Sequence, residues 1–428
     1  MLSVSRSINI RTTNRRQRLR KSRRRNFSRL SEPLVQNDES TSTGPVIRLR
    51  TSIFTSTCYL FIWILLVRPP LVASNWLYLA IHNPTNSPFY YPSNHMVTRS
   101  LSFPQQYCDT LVFLNEQQRR LCAQFPFVLA SIGMGAREAI LECQWQFKFE
   151  RWNCTAMRTA NDTEYDLFES VLRANNREAS FLNAITSAGL THAVTRACSQ
   201  GNLTDCSCDM TKHGEAVRDR NNEKWHWGGC SDNVRYGFKF GQDFLDRHER
   251  IEHQKNKLVR HLVNLHNYEV GRKAVSEHMK RQCRCHGVSG SCEFKTCWQS
   301  MPKFSEVGEF LKSAYDHNSV HVAKRARKRL RRKEKSERKI AVRPGELVFL
   351  TKSPNYCDRD ADRGVYGTTG RQCNKTSLRG DGCDLLCCGR GFNMREEEIT
   401  ERCHCKFVWC CDVKCKTCTS KVQVFTCK

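Results

Sequence analysis

The chain has 428 residues, 25 cysteines and a formal net charge of +27. So many cysteines exclude a reducing compartment as the working environment and point away from a cytosolic enzyme. The charge is concentrated: residues 1–50 hold 13 Lys and Arg against 3 acids, and residues 321–340 hold 11 against 2.

Residues 1–50 read as a basic, disordered extension. Its run Arg15-Arg16-Gln17-Arg18-Leu19-Arg20-Lys21 would by itself suit nucleic acid. The next segment points elsewhere. Ile53 to Val67 is a 15-residue stretch without a charge, preceded by Arg48 and Arg50 and followed by Arg68-Pro69-Pro70, Ala73 and Ser74. It is shorter than the roughly 20 residues a membrane span needs. Basic flank, apolar core and small-residue exit are the order of a secretory signal, placed at 51–74. Cys58 leaves with it, so 24 cysteines remain, an even number. Four glycosylation sequons follow, at Asn153, Asn161, Asn202 and Asn374, with the middle residue of the first being Cys154. A secreted chain has no nucleic-acid partner, and none is expected.

Residues 75–320 read as a helical domain. Its start, 75–107, is rich in Asn, Pro, Ser and Tyr and reads as extended. From Gln117 to Glu150 the pattern is helical, with Ile132, Ala136, Ile140 and Cys143 on one face. Asn176 suits an N-cap. The helix after it carries Phe181, Ile185, Ala188 and Val194 and stops at Gly201. Two more stripes follow: Val234, Phe238, Gly241 and Leu245, then Leu258, Leu262, Leu265 and Val270. All four read as core faces. After residue 282 helical periodicity disappears. Residues 321–345 read as a basic, solvated linker. Residues 346–428 are cysteine-dense, with short β-type runs at Leu347–Leu350 and Val422–Phe425, and are too small to rest on a core alone. The fold class is therefore α+β and disulfide-rich: a helical N-terminal domain with a stapled β-hairpin, then a small cysteine-rich β/loop domain. Zinc is the rival use of such cysteines, through Cys415-x-x-Cys418 above all. Irregular spacings and the adjacent pairs Cys387-Cys388 and Cys410-Cys411 argue against it, and no metal is expected.

The most informative segment is Cys283-Arg-Cys285-His-Gly-Val-Ser289-Gly-Ser-Cys292-Glu-Phe-Lys-Thr-Cys297-Trp298. If the inner cysteines join, Cys285 and Cys292 close a loop over six residues. Gly287 and Gly290 would then admit the positive φ of a tight turn. Ser289 would sit at the tip, and an outer bridge from Cys283 to Cys297 would stiffen the base. Three uses are open: a catalytic nucleophile, a bare turn, or a modification site presented to an enzyme. Gly287-Val-Ser289-Gly-Ser291 approaches a nucleophile elbow but lacks its closing Gly, and no Asp partner can be nominated for His286.

That segment resembles the signature of the Wnt family. Further matches run from Cys108 to Cys427, among them Glu142-Cys143-Gln-Trp-Gln146, Trp227-Gly-Gly-Cys230-Ser-Asp-Asn233, Asp381-Gly-Cys383 and Cys403-His-Cys405-Lys-Phe407-Val-Trp409-Cys410-Cys411. The chain departs from the family pattern at Val408, Tyr268, Val270 and Ser207, which leaves the subfamily open.

The resemblance implies a secreted, lipid-modified ligand in the extracellular space and matrix, not an enzyme. It implies an O-palmitoleoyl group on Ser289, added by Porcupine, and bridges Cys285–Cys292 and Cys283–Cys297. It implies that the lipidated hairpin enters a groove on the cysteine-rich domain of a Frizzled receptor. On the opposite side a finger would make contact through Phe407, Val408, Trp409, Cys410 and Cys411. A lipoprotein-receptor-related co-receptor and the carrier Wntless complete the implied partners, with β-catenin or polarity signalling as the output. No other cofactor is expected. The basic segment Lys324, Arg325, Arg327, Lys328, Arg329, Arg331, Arg332 and Lys333 would attract heparan sulfate proteoglycans electrostatically. Arg329-Leu-Arg331-Arg332 also resembles a basic protease site.

Overall fold

The computed structural model describes residues 75–81, 103–158, 165–166, 168–218, 224–325, 329–360 and 362–428. The signal, the N-terminal extension, Asn161, Arg327 and Lys328 lie outside them. All the described residues belong to one unit, Pro70–Lys428.

Of the stretch 75–107 expected as extended, 82–102 lie outside the described residues; Trp76–Ala80, capped by Asn75, is a 3-10 turn and the end from Phe103 is helix. The helices follow: α1 Phe103–Thr110, α2 Glu116–Gln124, α3 Val128–Gln146, α4 Glu169–Ala174 and α5 Arg177–Ser199. The single helical stretch expected from Gln117 to Glu150 is thus two helices. Pro126 lacks the N–H that an unbroken helix would need there. Asn176 caps α5 as expected, its Oδ1 accepting from Ala179 N at 2.9 Å. Gly201, at φ 72°, ends it.

Helix α5 is the axle of the fold, with Phe181, Ile185, Ala188 and Val194 all fully buried. Its neighbours come unusually close. A Cβ on Gly189 would lie 2.4 Å from the Gly135 carbonyl oxygen of α3. Beyond it lie α6 Val234–Gly241, a π turn at Gln242–Asp246, α7 Arg247–Asn256 and α8 Val259–Glu277. The buried face is Gly237, Phe240, Gly241, Phe244 and Leu245, so Gly241 and Leu245 of the expected stripe are buried while Val234 and Phe238 are only half-buried.

In α8 the expected stripe is also displaced. Leu258 is exposed, and Leu262 and Leu265 are half-buried. Val270 of the stripe is buried, with His261, Val263, Asn267, Gly271, Arg272, Ala274 and Val275. Val263 packs with Val320, Val322 and Val348, and Gly271 lies against Ala184 of α5. Polar α8 residues enter because each finds a partner. Asn267 bonds both backbone groups of Val348 at 2.9–3.0 Å, and Arg272 forms two bonds of 2.9 Å to Asp246. Helix α9, Phe304–His317, was not expected at all, although Val307, Leu311 and Ala314 are buried at helical spacing.

Strands complete the unit. After the short pair β1 Met157–Arg158 and β2 Tyr165–Asp166, a four-stranded sheet takes β3 Ala216–Arg218, β4 Lys224–Trp227, β5 Lys280–Cys285 and β6 Lys295–Ser300 in the order β3-β4-β6-β5. A second sheet holds β7 Ser319–Arg325, β8 Arg329–Arg332 and β9 Leu347–Phe349. The segment expected as a solvated linker is therefore partly sheet. Arg332 is drawn inside by Glu346, whose carboxylate accepts two bonds of 2.6 Å.

Toward the C-terminus come β10 Gln372–Cys373, the single turn α10 Cys383–Leu386, and the paired strands β11 Phe392–Val408 and β12 Asp412–Cys427. These two strands are far longer than the short runs expected. Their alternation is hard to read because both faces are largely solvated, so polar residues occupy both parities.

Eleven disulfides tie the described residues. None of them joins a cysteine before residue 300 to one after residue 350. Hydrogen bonds make that connection instead. Glu178 accepts from Tyr315 and Ser353, and Arg371 donates to the carbonyls of Arg151 and Lys148.

Candidate functional site

Strands β5 and β6 pair antiparallel and set Cys283 directly opposite Cys297. These two are bridged, and Cys285 is bridged to Cys292 nearer the tip. Backbone bonds close the loop: Gly287 N donates to Ser291 O at 2.7 Å, and Gly290 N to Gly287 O at 2.9 Å. Gly290 takes a positive φ of 77°, but Gly287 does not. Gly287 is needed for space, since a Cβ there would lie 1.9 Å from Ser291 Oγ. The second left-handed residue is Ser289 itself, at φ 57° and ψ 25°. Most side chains avoid that region, and a small residue in a bridged loop tolerates it at modest cost.

Ser289 is exposed, and Val288 beside it is 86% exposed. Phe294 stands behind the tip between His286 and His226, with ring centroids 5.7 and 5.4 Å away. Val288 and Phe294 were missed by sequence reasoning. Their only signal was being apolar in a loop that buries nothing.

The base of the hairpin is anchored far more firmly than its tip. Cys297 is fully buried with Trp225 and Trp227. Asp232 accepts from Met301 N at 2.8 Å and from Ser199 Oγ at 2.5 Å, tying the exit of β6 to α5. His192 on α5 approaches Pro302 O at 3.2 Å. Burial holds its imidazole below the ordinary range, partly offset by the Pro302 bond and by Glu138. The arrangement presents a hydroxyl on a rigid arm.

The finger candidates lie at the turn between β11 and β12. Phe407 pairs with Val413, and Val408 with Asp412. Phe407 is 68% exposed and Trp409 91%, and Val413, not foreseen, joins them at the surface. Bridges Cys403–Cys418 and Cys405–Cys415 brace the strands below. Cys410 and Cys411 are exposed and unbridged, both at positive φ. The tip thus shows apolar side chains to water on a two-stranded arm, which is what a partner surface requires.

Among the sequons, Asn202 and Asn374 are exposed and Asn153 is half-buried beside the bridged Cys154. The basic candidates separate. Lys324 and Arg325 lie in β7, and Arg329, Arg331 and Arg332 in β8. Arg332 is consumed by Glu346 and Glu337, and Lys333 lies 3.3 Å from His321. Arg329 and Arg331 instead line a cavity of about 530 Å³ with Arg250, Arg338 and Lys339, three residues the sequence did not single out. The protease-like motif lies in strand β8, with Arg329 exposed and its last residue, Arg332, buried.

A family model described as "wnt family" matches residues 110–428. A curated protein named Wnt-16 from Bos taurus is 43% identical over 371 residues, covering 87% of this chain and 97% of that protein. The Wnt-16 of Mus musculus is 42% identical over 375 residues, with the same coverage of both. A solved structure of human WLS in complex with WNT8A contains a chain that superposes with a TM-score of 0.50 at 37% identity, over 70% of this chain and 94% of that one.

Proposed function

The chain belongs to the Wnt family, and from that premise we propose that it acts through an O-palmitoleoyl chain carried on Ser289. Members of the family are secreted signalling ligands, not enzymes, and this chain is one of them. No helix among the described residues is long and apolar enough to cross a membrane.

The observation that carries the proposal is the exposed, left-handed Ser289 at the tip of a doubly bridged arm. A nucleophilic role would need a base and an orienting acid beside it. A modification site needs only reach and rigidity, which the arm supplies. In this reading Porcupine acylates Ser289. Wntless carries the product, as the solved complex of WLS with WNT8A supports by analogy. The acyl chain then enters an apolar groove of a Frizzled cysteine-rich domain. Each buried methylene contributes about 0.8 kcal/mol, so the chain dominates that contact. Phe407, Val408 and Trp409 make the second contact with the receptor. A lipoprotein-receptor-related co-receptor completes the signalling complex, and heparan sulfate is held by Arg250, Arg329, Arg331, Arg338 and Lys339.

The test is metabolic labelling of expressing cells with an alkyne-tagged fatty acid, comparing the parent with Ser289→Ala. The expected result is label on the parent and none on the variant. An intact, secreted parent without label would sink the proposal.

A further inference from the structure

Helix α3 buries one face against α5, yet its opposite face is not the polar surface that rule leads one to expect. Leu141 is 55% exposed, Trp145 61%, and Phe149 in the turn beyond the helix 53%. The three are spaced by four residues and share one side. The C-terminal part of the chain extends this patch. A Cβ on Gly380 would lie 3.3 Å from the Phe149 carbonyl, and Arg151 Nε donates to Leu385 O at 3.1 Å. This places beside Phe149 the segment that carries Leu378, 95% exposed, and Leu385, 49% exposed. Apolar residues more than 220 positions apart thus converge on one surface, outside both the hairpin and the finger.

Cations accompany them. Lys148 Nζ sits 3.4 Å over the Trp145 ring, and Arg151 and Arg379, the latter next to Gly380, are exposed beside the patch. The acids are mostly engaged: Gln146 donates to Glu142 at 2.8 Å, and Lys312 reaches Glu150 at 3.3 Å, with Asp384 at the edge. Exposed Trp and Phe ringed by Lys and Arg match an interface in which rings enter the acyl boundary and cations meet phosphate headgroups.

We propose that this face, built from α3 and the 378–385 segment, docks on a phospholipid surface. Trp145, Phe149 and Leu378 enter the headgroup layer, and Lys148, Arg151 and Arg379 pair with lipid phosphates. One acyl chain gives only marginal, reversible membrane binding, with an association constant of about 10⁴ M⁻¹, and stable residence needs a second signal. That last consideration rests on the acylation of Ser289; the patch itself does not.

The experiment therefore removes the acyl group. Full-length Ser289→Ala chain, purified from cell extracts, is floated with vesicles of equal parts phosphatidylcholine and phosphatidylserine. It is compared with the same chain carrying Trp145→Glu and Phe149→Glu, and with the milder pair Trp145→Ser and Phe149→Ser. The Ser289→Ala chain should float, the Glu pair should lose roughly tenfold or more in binding, and the Ser pair should fall between. Both side chains are exposed, so an unchanged far-ultraviolet circular dichroism spectrum and thermal midpoint are expected and check the fold. Equal flotation of all three overturns the proposal. So does loss of self-association or receptor binding with flotation unchanged, which would assign the face to a protein. A failed labelling of Ser289 leaves this outcome untouched.

Discussion

Asp246→Ala tests how the helical core tolerates charge. Arg272 is 1% exposed, and its two terminal nitrogens each donate to one Asp246 oxygen at 2.9 Å. Arg250 also reaches Asp246, at 3.4 Å, but it is largely solvated and contributes little. Removing the carboxylate leaves a guanidinium buried among α5, α6 and α8, with Ser187 Oγ at 3.4 Å as a weak remaining acceptor. Two charge-assisted bonds at about 1.5–3 kcal/mol each, and an uncompensated buried charge, give an expected loss of about 3–5 kcal/mol. The paired substitution Asp246→Leu with Arg272→Met should cost far less or nothing, because the desolvation of both charges disappears with them. The assay is equilibrium urea unfolding with disulfides intact, followed by near-ultraviolet circular dichroism and compared at the transition midpoint. A single-variant loss below about 1 kcal/mol would refute the reasoning. A paired variant as unstable as the single one would refute it equally.

Gly271→Ala should destabilise the fold by about 1–3 kcal/mol in the same unfolding assay, although alanine is the better helix former by about 1 kcal/mol. The new Cβ would lie 1.9 Å from the Ala184 carbonyl oxygen, so α5 and α8 must part, and a stabilised variant would contradict this. Stability should also fall as pH drops from about 7.5 to about 5.5. Burial holds His192 and His266 below their ordinary value of 6.5, so the unfolded chain takes up protons that the folded chain refuses. Asp246 and Glu142, raised by burial, act in the opposite sense at lower pH, so the measurement compares thermal midpoints of parent and His266→Gln. The variant should lose part of the pH dependence, and an unchanged slope would exclude His266 as a contributor.

Much of the candidate site was legible because its signals are local. Four cysteines within 15 residues, two glycines and a serine define a bridged arm without reference to the rest of the molecule. The N-cap at Asn176 and the stripe Phe181, Ile185, Ala188 and Val194 were equally local, since helical spacing writes a buried face directly into the chain. The stripe of α8 misled for a nonlocal reason. Its leucines look like the core face, but Asn267 and Arg272 take those positions because Val348 and Asp246, distant in sequence, satisfy them.

The same division holds for charge. Sequence alone counted the cations of the 321–340 segment. Only the tertiary structure distinguished Arg332, neutralised inside by Glu346, from Arg331, which lines a cavity with Arg250. Composition and spacing thus determined an oxidised α+β chain with a presented serine. Which polar groups are buried, which cations remain available and which apolar residues converge on the α3 face depend on partners far apart in the chain. Those partners meet only when the helices and disulfides close around α5, so no local pattern records them.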